Sequence, residues 1–198
     1  MSKTNLRYTF LFIMFLTFVS LINMACERVA ESGELTHLYV EASHPAFENL
    51  RDMEDKTPII LIGTKEAEIN PYNFVDDTGR EISEFSMAHI KVDKIIKNHD
   101  PISLDSEQMI PVLENEYQKD STIFHIGGYQ KMELGKKYLL FLYYSEHDNW
   151  YVINGVVFGK VPTSTSESLL YGQKGDSPSL PEKVIREAQE SYKHFFGK

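Results

Sequence analysis

The densest run of apolar and aromatic positions outside the extreme N-terminus is residues 136–161, K-K-Y-L-L-F-L-Y-Y-S-E-H-D-N-W-Y-V-I-N-G-V-V-F-G-K-V. A polar break at Ser145-Glu146-His147-Asp148-Asn149 divides it, which predicts a hairpin with strands over residues 138–144 and 150–158. Apolar side chains fall on both faces of both strands. That pattern belongs to central strands of a closed sheet, or to strands covered by a helix.

The same reading extends along the chain. Leu38 to Ala42 predicts a short strand, and Ser43-His44-Pro45 a helix start. Phe47, Leu50 and Met53 recur at threes, giving a helix over about residues 45–55 with one apolar face. Ile59-Ile60-Leu61-Ile62-Gly63-Thr64 reads as a strand buried on both faces. Residues 65–84 are polar, with turn signals at Asn70-Pro71 and Asp76-Asp77-Thr78-Gly79, and fit a hairpin or an open loop. Residues 87–96 alternate as a half-buried strand does, with Ala88, Ile90 and Val92 on one face. Short strands are expected at 102–104 and 109–113, the second an edge strand because of Pro111, and another at 123–128 ending in Gly127-Gly128. Residues 162–180, rich in Ser, Thr, Gly and Pro, read as a flexible loop. Pro181 opens a last helix over 181–198, whose stripe of Val184, Ile185, Ala188, Tyr192, Phe195 and Phe196 is suited to packing on the domain. Many strands with few helices between them predict a mainly β fold: an antiparallel β-barrel with one helix early and one late, its domain spanning 38–161.

Residues 1–25 do not belong to that fold. Lys3 and Arg7 form a positive start, residues 11–22 an apolar stretch, and Asn23-Met24-Ala25 leads to Cys26. This is the layout of a secretory signal, and the apolar stretch is short against the roughly 20 residues a membrane-spanning helix needs. An ordinary signal peptide cut nearby and an uncleaved anchor are the other readings of this segment. Cys26 is the only cysteine, so the domain has no internal disulfide and must be held by its core. Residues 26–37 are polar and aperiodic, a tether. Without residues 1–25 the chain keeps 18 basic and 29 acidic residues, a net charge of −11. Such a surface excludes nucleic acid, which needs basic patches.

Two resemblances follow from these residues. The segment ending Ala25-Cys26 resembles the lipobox of bacterial lipoproteins, with Asn23 where the family carries an aliphatic residue. It implies a lipid on Cys26, anchorage to the outer face of the cell membrane, and an extracytoplasmic location. The barrel pattern resembles small lipid-anchored or secreted proteins of Gram-positive bacteria, uncharacterised as a group, with the netrin-like OB barrel of the tissue inhibitors of metalloproteinases. Ile90, Val92, Ile95, Ile96 and Lys97 match the end of one family strand, with Asn98 where glycine is usual. Gly135, Tyr138, Leu139, Leu140 and Phe141 match a later G-x-x-Y-L-x-F strand. The family's inhibitory chemistry needs a free N-terminal cysteine held by disulfides, and this chain does not supply it.

Candidate chemistry is sparse. The seven histidines, His37, His44, His89, His99, His125, His147 and His194, include no metal-binding helical pair; His89 and His125 lie on strands that could meet across the sheet. The acidic clusters lack calcium-loop spacing, and no serine sits in a nucleophile elbow. No catalytic residue, metal site or cofactor is assigned. Tyr144, His147, Trp150 and Tyr151, flanking the hairpin turn, are the expected ligand contacts. The expected function is a non-catalytic binding or accessory module with a protein or glycan partner in the cell envelope. The alternative is a partner-binding or enzyme-inhibitor protein acting through loops 65–84 and 145–149, and an enzyme with an unrecognised site stands behind both.

Overall fold

A computed structural model of the chain describes residues 35–75, 77–164 and 178–196. The signal segment, Cys26 and most of the 162–180 loop lie outside the described residues. The elements in chain order are β1 (Thr36–Val40), α1 (Leu50–Asp55), β2 (Ile59–Val75), β3 (Glu81–Asn98), β4 (Met109–Glu114), β5 (Glu116–Lys119), β6 (Thr122–Ile126), β7 (Lys137–Ser145), β8 (Trp150–Ile153), β9 (Lys160–Pro162) and α2 (Leu180–Tyr192), followed by a 3-10 turn at Lys193–Phe195.

Five strands close a barrel. β2, β3, β4, β8 and β7 are neighbours in that order, and β7 pairs back onto β2 from Ile59↔Leu142 to Thr64↔Lys137. If the five are counted in chain order, the third and fifth (β4 and β8) are parallel and the remaining neighbours antiparallel. This is an OB-like barrel, mainly antiparallel with mixed strands. β9 adds to β7 outside the ring, and β1, β6 and β5 form a separate three-stranded sheet in which β1 and β6 run parallel.

The apolar runs explain the closure. In β7, Tyr138, Leu139, Leu140, Phe141 and Leu142 have no exposed surface, and in β2 the run Ile59 to Ile62 is at most 2% exposed. Strands apolar on both faces need cover on both. The helices supply the outer cover: the Phe141 ring meets Tyr192, at the end of α2, edge to face at 6.1 Å. On α2, Val184, Ile185 and Ala188 are fully buried. Its start is fixed by a reciprocal cap, with the Ser179 hydroxyl accepting from the Glu182 N–H while the Glu182 carboxylate accepts from the Ser179 N–H, and by Pro181 in the first turn. Gly63 lets β2 and β3 approach: a Cβ there would lie 2.4 Å from the Ile90 side chain.

Several boundaries differ from the sequence pattern. The second strand of the 136–161 hairpin ends at Ile153; residues 154–159 are turns, and the chain re-enters the sheet as β9. Phe141 causes this, since its N–H donates to the Gly159 carbonyl and its carbonyl accepts from the Asn154 N–H, so the loop is threaded onto β7. The early helix starts at Leu50, because the Asn49 side chain accepts from the Asp52 N–H and caps it there. Residues 102–104 form no strand. β4 is interior, but β8 pairs only with Val112 and Leu113, so Pro111 sits beyond β8's reach. The polar stretch 65–84 is a hairpin of long arms, β2 and β3 staying paired out to Val75↔Glu81, with Asn70 and Pro71 absorbed in a register shift. β1 begins at Thr36, within the stretch read as tether.

Candidate functional site

The residues expected to meet a ligand surround the β7–β8 turn. The structure exposes His147, half-buries Tyr144, and buries Trp150 and Tyr151 to 8% and 3% exposure. Tyr151 belongs to the main core, whereas Trp150 packs with Met87 and Leu113 in a smaller cluster. Both tryptophan and tyrosine strand ends are therefore packing residues, and solvent reaches His147 and the edge of Tyr144. In the turn itself, the Ser145 hydroxyl donates to Asp148 Oδ2 at 2.6 Å, and His147 Nδ1 lies 2.9 Å from Asp148 Oδ1. Serine and histidine hold the same carboxylate and not each other, so this trio lacks the nucleophile-to-base bond of acyl transfer. The Ser145 hydroxyl, then the His147 ring, holds the Asp148 carboxyl below the usual carboxylate range.

A second constellation, built from residues far apart in the chain, lies beside the three-stranded sheet. In β6, Ile123 and His125 share one face, and the ladder places His125 opposite Tyr39 of β1 and Glu116 of β5. His125 is 3% exposed. Its Nδ1 is 2.9 Å from the Tyr129 carbonyl and 3.0 Å from Glu116 Oε2, both acceptors, so Nδ1 carries the hydrogen. Its Nε2 faces His37 Nδ1 at 2.8 Å. The ring planes differ by only 11° and the centroids are 5.1 Å apart, a separation equal to the bond plus the two ring radii. The rings therefore meet head to head in one plane rather than stacking. Of the two facing ring nitrogens one donates and the other accepts. Glu116 Oε2 also accepts from the Lys131 N–H at 3.0 Å. His37, Glu116, His125, Gln130, Lys131 and Glu133 line a hollow of about 320 Å³. His125 meets His37, not His89, which lies in β3 opposite Pro111. Among the described residues no group of three or more His, Cys, Asp or Glu is arranged to hold a metal ion.

Behind this hollow lies a buried ionic cluster. Lys65 of β2 and Glu114 of β4 have fully buried side chains, and Lys65 Nζ donates to Glu114 Oε2 at 2.6 Å, to Glu68 Oε2 at 2.9 Å and to the Met132 carbonyl at 2.8 Å. Glu114 Oε1 accepts from the Met132 N–H at 2.6 Å and the Tyr129 hydroxyl at 3.2 Å. Burial pushes the Glu114 carboxyl up, against the pull of the Lys65 ammonium. Burial, then the Glu114 charge, pushes the Tyr129 phenol well up. Each group is satisfied by a partner, as buried charges require. The cluster pins residues 129–132 onto β2 and β4, and the pinned segment holds His125 through the Tyr129 carbonyl and Glu116 through the Lys131 N–H.

No protein-family model matches this chain, and no curated protein matches it. Sequence reasoning missed Lys65, Tyr129 and the His37–His125 pair, and it took Glu114 and Glu116 as part of a solvated acidic cluster, whereas both are buried. One signal was present: β4 alternates Ile110, Val112, Glu114 on one face, so Glu114 continues a buried phase. The histidine pair carries no such signal, because it depends on the parallel pairing of two strands separated by more than 80 residues.

Proposed function

We propose that this chain is an extracytoplasmic lipoprotein, held on the outer face of a cell membrane through Cys26, whose barrel is a non-catalytic binding module of netrin-like type. The observation that carries the binding reading is the polar hollow at His37, His125 and Glu116. Its ionisable groups are tied to one another and to backbone groups, an arrangement suited to presenting fixed donors and acceptors rather than to moving protons. The netrin-like reading is supported by the strand order, by the fully buried Tyr138, Leu139 and Phe141 of the G-x-x-Y-L-x-F strand, and by the packed C-terminal helix. No helix among the described residues is long and apolar enough to cross a membrane. The lipid would be the anchor.

The partner is a protein or glycan of the cell envelope, with no nucleic acid and no cofactor. Binding assays with separated envelope glycan and protein fractions test this. Wild-type protein should be retained by one of them, and a Lys131→Glu/Glu133→Lys variant, altered at the rim of the hollow, should lose most of the retention. Turnover of an envelope substrate that disappears in His125→Ala would contradict the non-catalytic reading.

A second reading has its own observation. β7 pairs with β2 only as far as Thr64, while β3 stays paired with β2 out to Val75, so the 65–84 hairpin extends past the barrel ladder. The β7–β8 turn also leaves Glu146 and His147 exposed. These are the two loops flanking the binding face in OB barrels. An inhibitor or partner-binding protein would use them. Replacing residues 77–80 by a two-residue turn should abolish partner binding on this reading and leave it unchanged on the first.

A further inference from the structure

The three-stranded sheet has two faces of different chemistry. The ladders put His37, Ile123, His125 and Glu116 on the face that borders the hollow. On the other face they group Leu38 and Val40 of β1, Phe124 and Ile126 of β6, and Tyr117 and Lys119 of β5. Thr36 and Thr122 pair beside them. Leu38 is 45% and Val40 37% exposed, and Phe124, Ile126 and Tyr117 are half-buried. The Tyr117 and Phe124 rings stack at 4.8 Å. None of these residues is acidic, in a chain with 29 Asp and Glu. The one charged member, Lys119, holds Glu84 at 2.8 Å.

We propose that this second face rests on the phospholipid bilayer beside the anchor, with Leu38, Val40 and the edge of Phe124 in the headgroup region. The inference rests on the reading of Cys26 as a lipidated anchor.

Three observations favour a lipid surface as the occupant. The first is chain length. Ten residues lead from Cys26 to Thr36, and an extended chain spans at most about 3.6 Å per residue, so a lipid on Cys26 would keep β1 within about 35 Å of the bilayer. β1 is the first strand after the anchor. Insertion of its face is then an intramolecular event at high effective concentration, and a small apolar patch is enough. The second is composition. Aliphatic side chains, a tyrosine whose hydroxyl can stay wet and a lysine at the margin are the residue types that suit a membrane interface. The third is charge. Most of this acidic surface would be repelled by lipid phosphates, whereas this face presents them with no carboxylate of its own. Docked in this way, the sheet turns its opposite face, with the hollow, away from the bilayer and toward soluble or envelope partners.

Fluorescence quenching on vesicles tests the proposal. Full-length chains carrying Leu38→Cys, Gln118→Cys or Tyr143→Cys are purified from membranes of the native cell, labelled with an environment-sensitive fluorophore and reconstituted into phosphatidylcholine vesicles with spin-labelled lipid. Gln118 is exposed on the hollow's face, and Tyr143 is exposed on the barrel. The Leu38 probe should shift to the blue, be quenched by the lipid spin labels, and sit about 5–10 Å into the headgroup and acyl boundary. The probes at Gln118 and Tyr143 should keep their spectra in water. Adding Val40→Asp to the Leu38→Cys chain should abolish most of the quenching while the chain still floats with the vesicles. Equal quenching at the three positions in a chain that floats would overturn the docking and leave the anchor standing. A blue shift at Leu38 without quenching would place that probe against protein instead, and would also overturn it. A chain that does not float with the vesicles would remove the anchor, and the docking with it.

Discussion

Lys65→Met tests whether the buried cluster has the energetic role assigned to it. The substitution keeps the side chain's length and apolar stem and removes the ammonium. Glu114 is then left fully buried with two donors, the Met132 N–H and the Tyr129 hydroxyl, no cation in hydrogen-bond contact, and only the more distant Lys160 charge to favour its ionised form. Its carboxyl has two options in the folded state. It stays charged without a paired ammonium, or it takes up a proton. The second sets a ceiling on the cost: at about 1.4 kcal/mol per pH unit, protonating a group of ordinary pKa 4.5 at pH 7 costs about 3.4 kcal/mol. That agrees with the roughly 3–5 kcal/mol lost when one partner of a buried pair is removed. For a domain of this size the melting temperature should fall by about 7–14 °C.

The pH dependence is the sharper signature. In the variant, the folded-state pKa of Glu114 lies above its unfolded value. The protonated carboxyl's stability is therefore fully present below the unfolded pKa and is lost as pH rises. Burial raises the Glu114 carboxyl in wild type as well, so relative to wild type the variant should recover at most about 2.7 kcal/mol on going from pH 7 to pH 5. Urea denaturation followed by the fluorescence of Trp150, the sole tryptophan, measures both quantities. Lys65→Met/Glu114→Leu, which removes both charges, should lie within about 1.5 kcal/mol of wild type. A single-variant cost under about 1 kcal/mol at pH 7, or a cost equal at pH 5 and pH 7, would refute the reasoning.

Three further outcomes are expected. Gly63→Ala places a methyl against Ile90 and the Lys91 carbonyl, which would lie 3.0 Å away, and should cost about 1–3 kcal/mol of unfolding free energy by overpacking in the same urea assay. The Tyr192 hydroxyl donates to Glu54 Oε1 at 2.6 Å, and burial, then that bond, pushes the phenol well above its usual value. A raised tyrosine pKa means stability that is complete below about pH 10 and is lost above it, so thermal scans at pH 8 and pH 11 should show a larger alkaline loss in wild type than in Tyr192→Phe. Ser179→Ala removes the hydroxyl half of the α2 cap and should cost about 1 kcal/mol, with amide exchange accelerating first in residues 180–183.

The parts of this fold that were legible share one physical property: their side chains face a single, continuous apolar environment. The β7 run announces itself because every residue from Tyr138 to Leu142 is buried, and α2 because Val184, Ile185 and Ala188 fall on one stripe. The outer arms of β2 and β3 were harder to read. Their pairing is satisfied by backbone bonds along a two-stranded ribbon, so no apolar period is imposed, and Asn70-Pro71 signals a turn where the ladder merely shifts register. The end of β8 was misplaced for a related reason. Residues 154–159 are apolar because the turn is tucked onto Phe141, where Gly159 fits with only 2.7 Å between an added Cβ and the Phe141 carbonyl. The polar hollow could not be found from the sequence, since His37, Glu116 and His125 gain their chemistry only when β1 joins β6 in parallel. Trp150 and Tyr151 attract notice as large aromatics at a turn, yet the parallel β4–β8 pairing draws both into packing.

The central claim is that this barrel works as a binding module tethered outside the cell by a lipid on its only cysteine. Intact-mass and N-terminal peptide analysis of the protein purified from membranes of its native cell tests that most directly. The account predicts a chain that begins at Cys26, lacks residues 1–25, and carries a diacylglyceryl group on the Cys26 sulfur. A chain that retains residues 1–25, or one cut elsewhere with an unmodified Cys26 thiol, would contradict it.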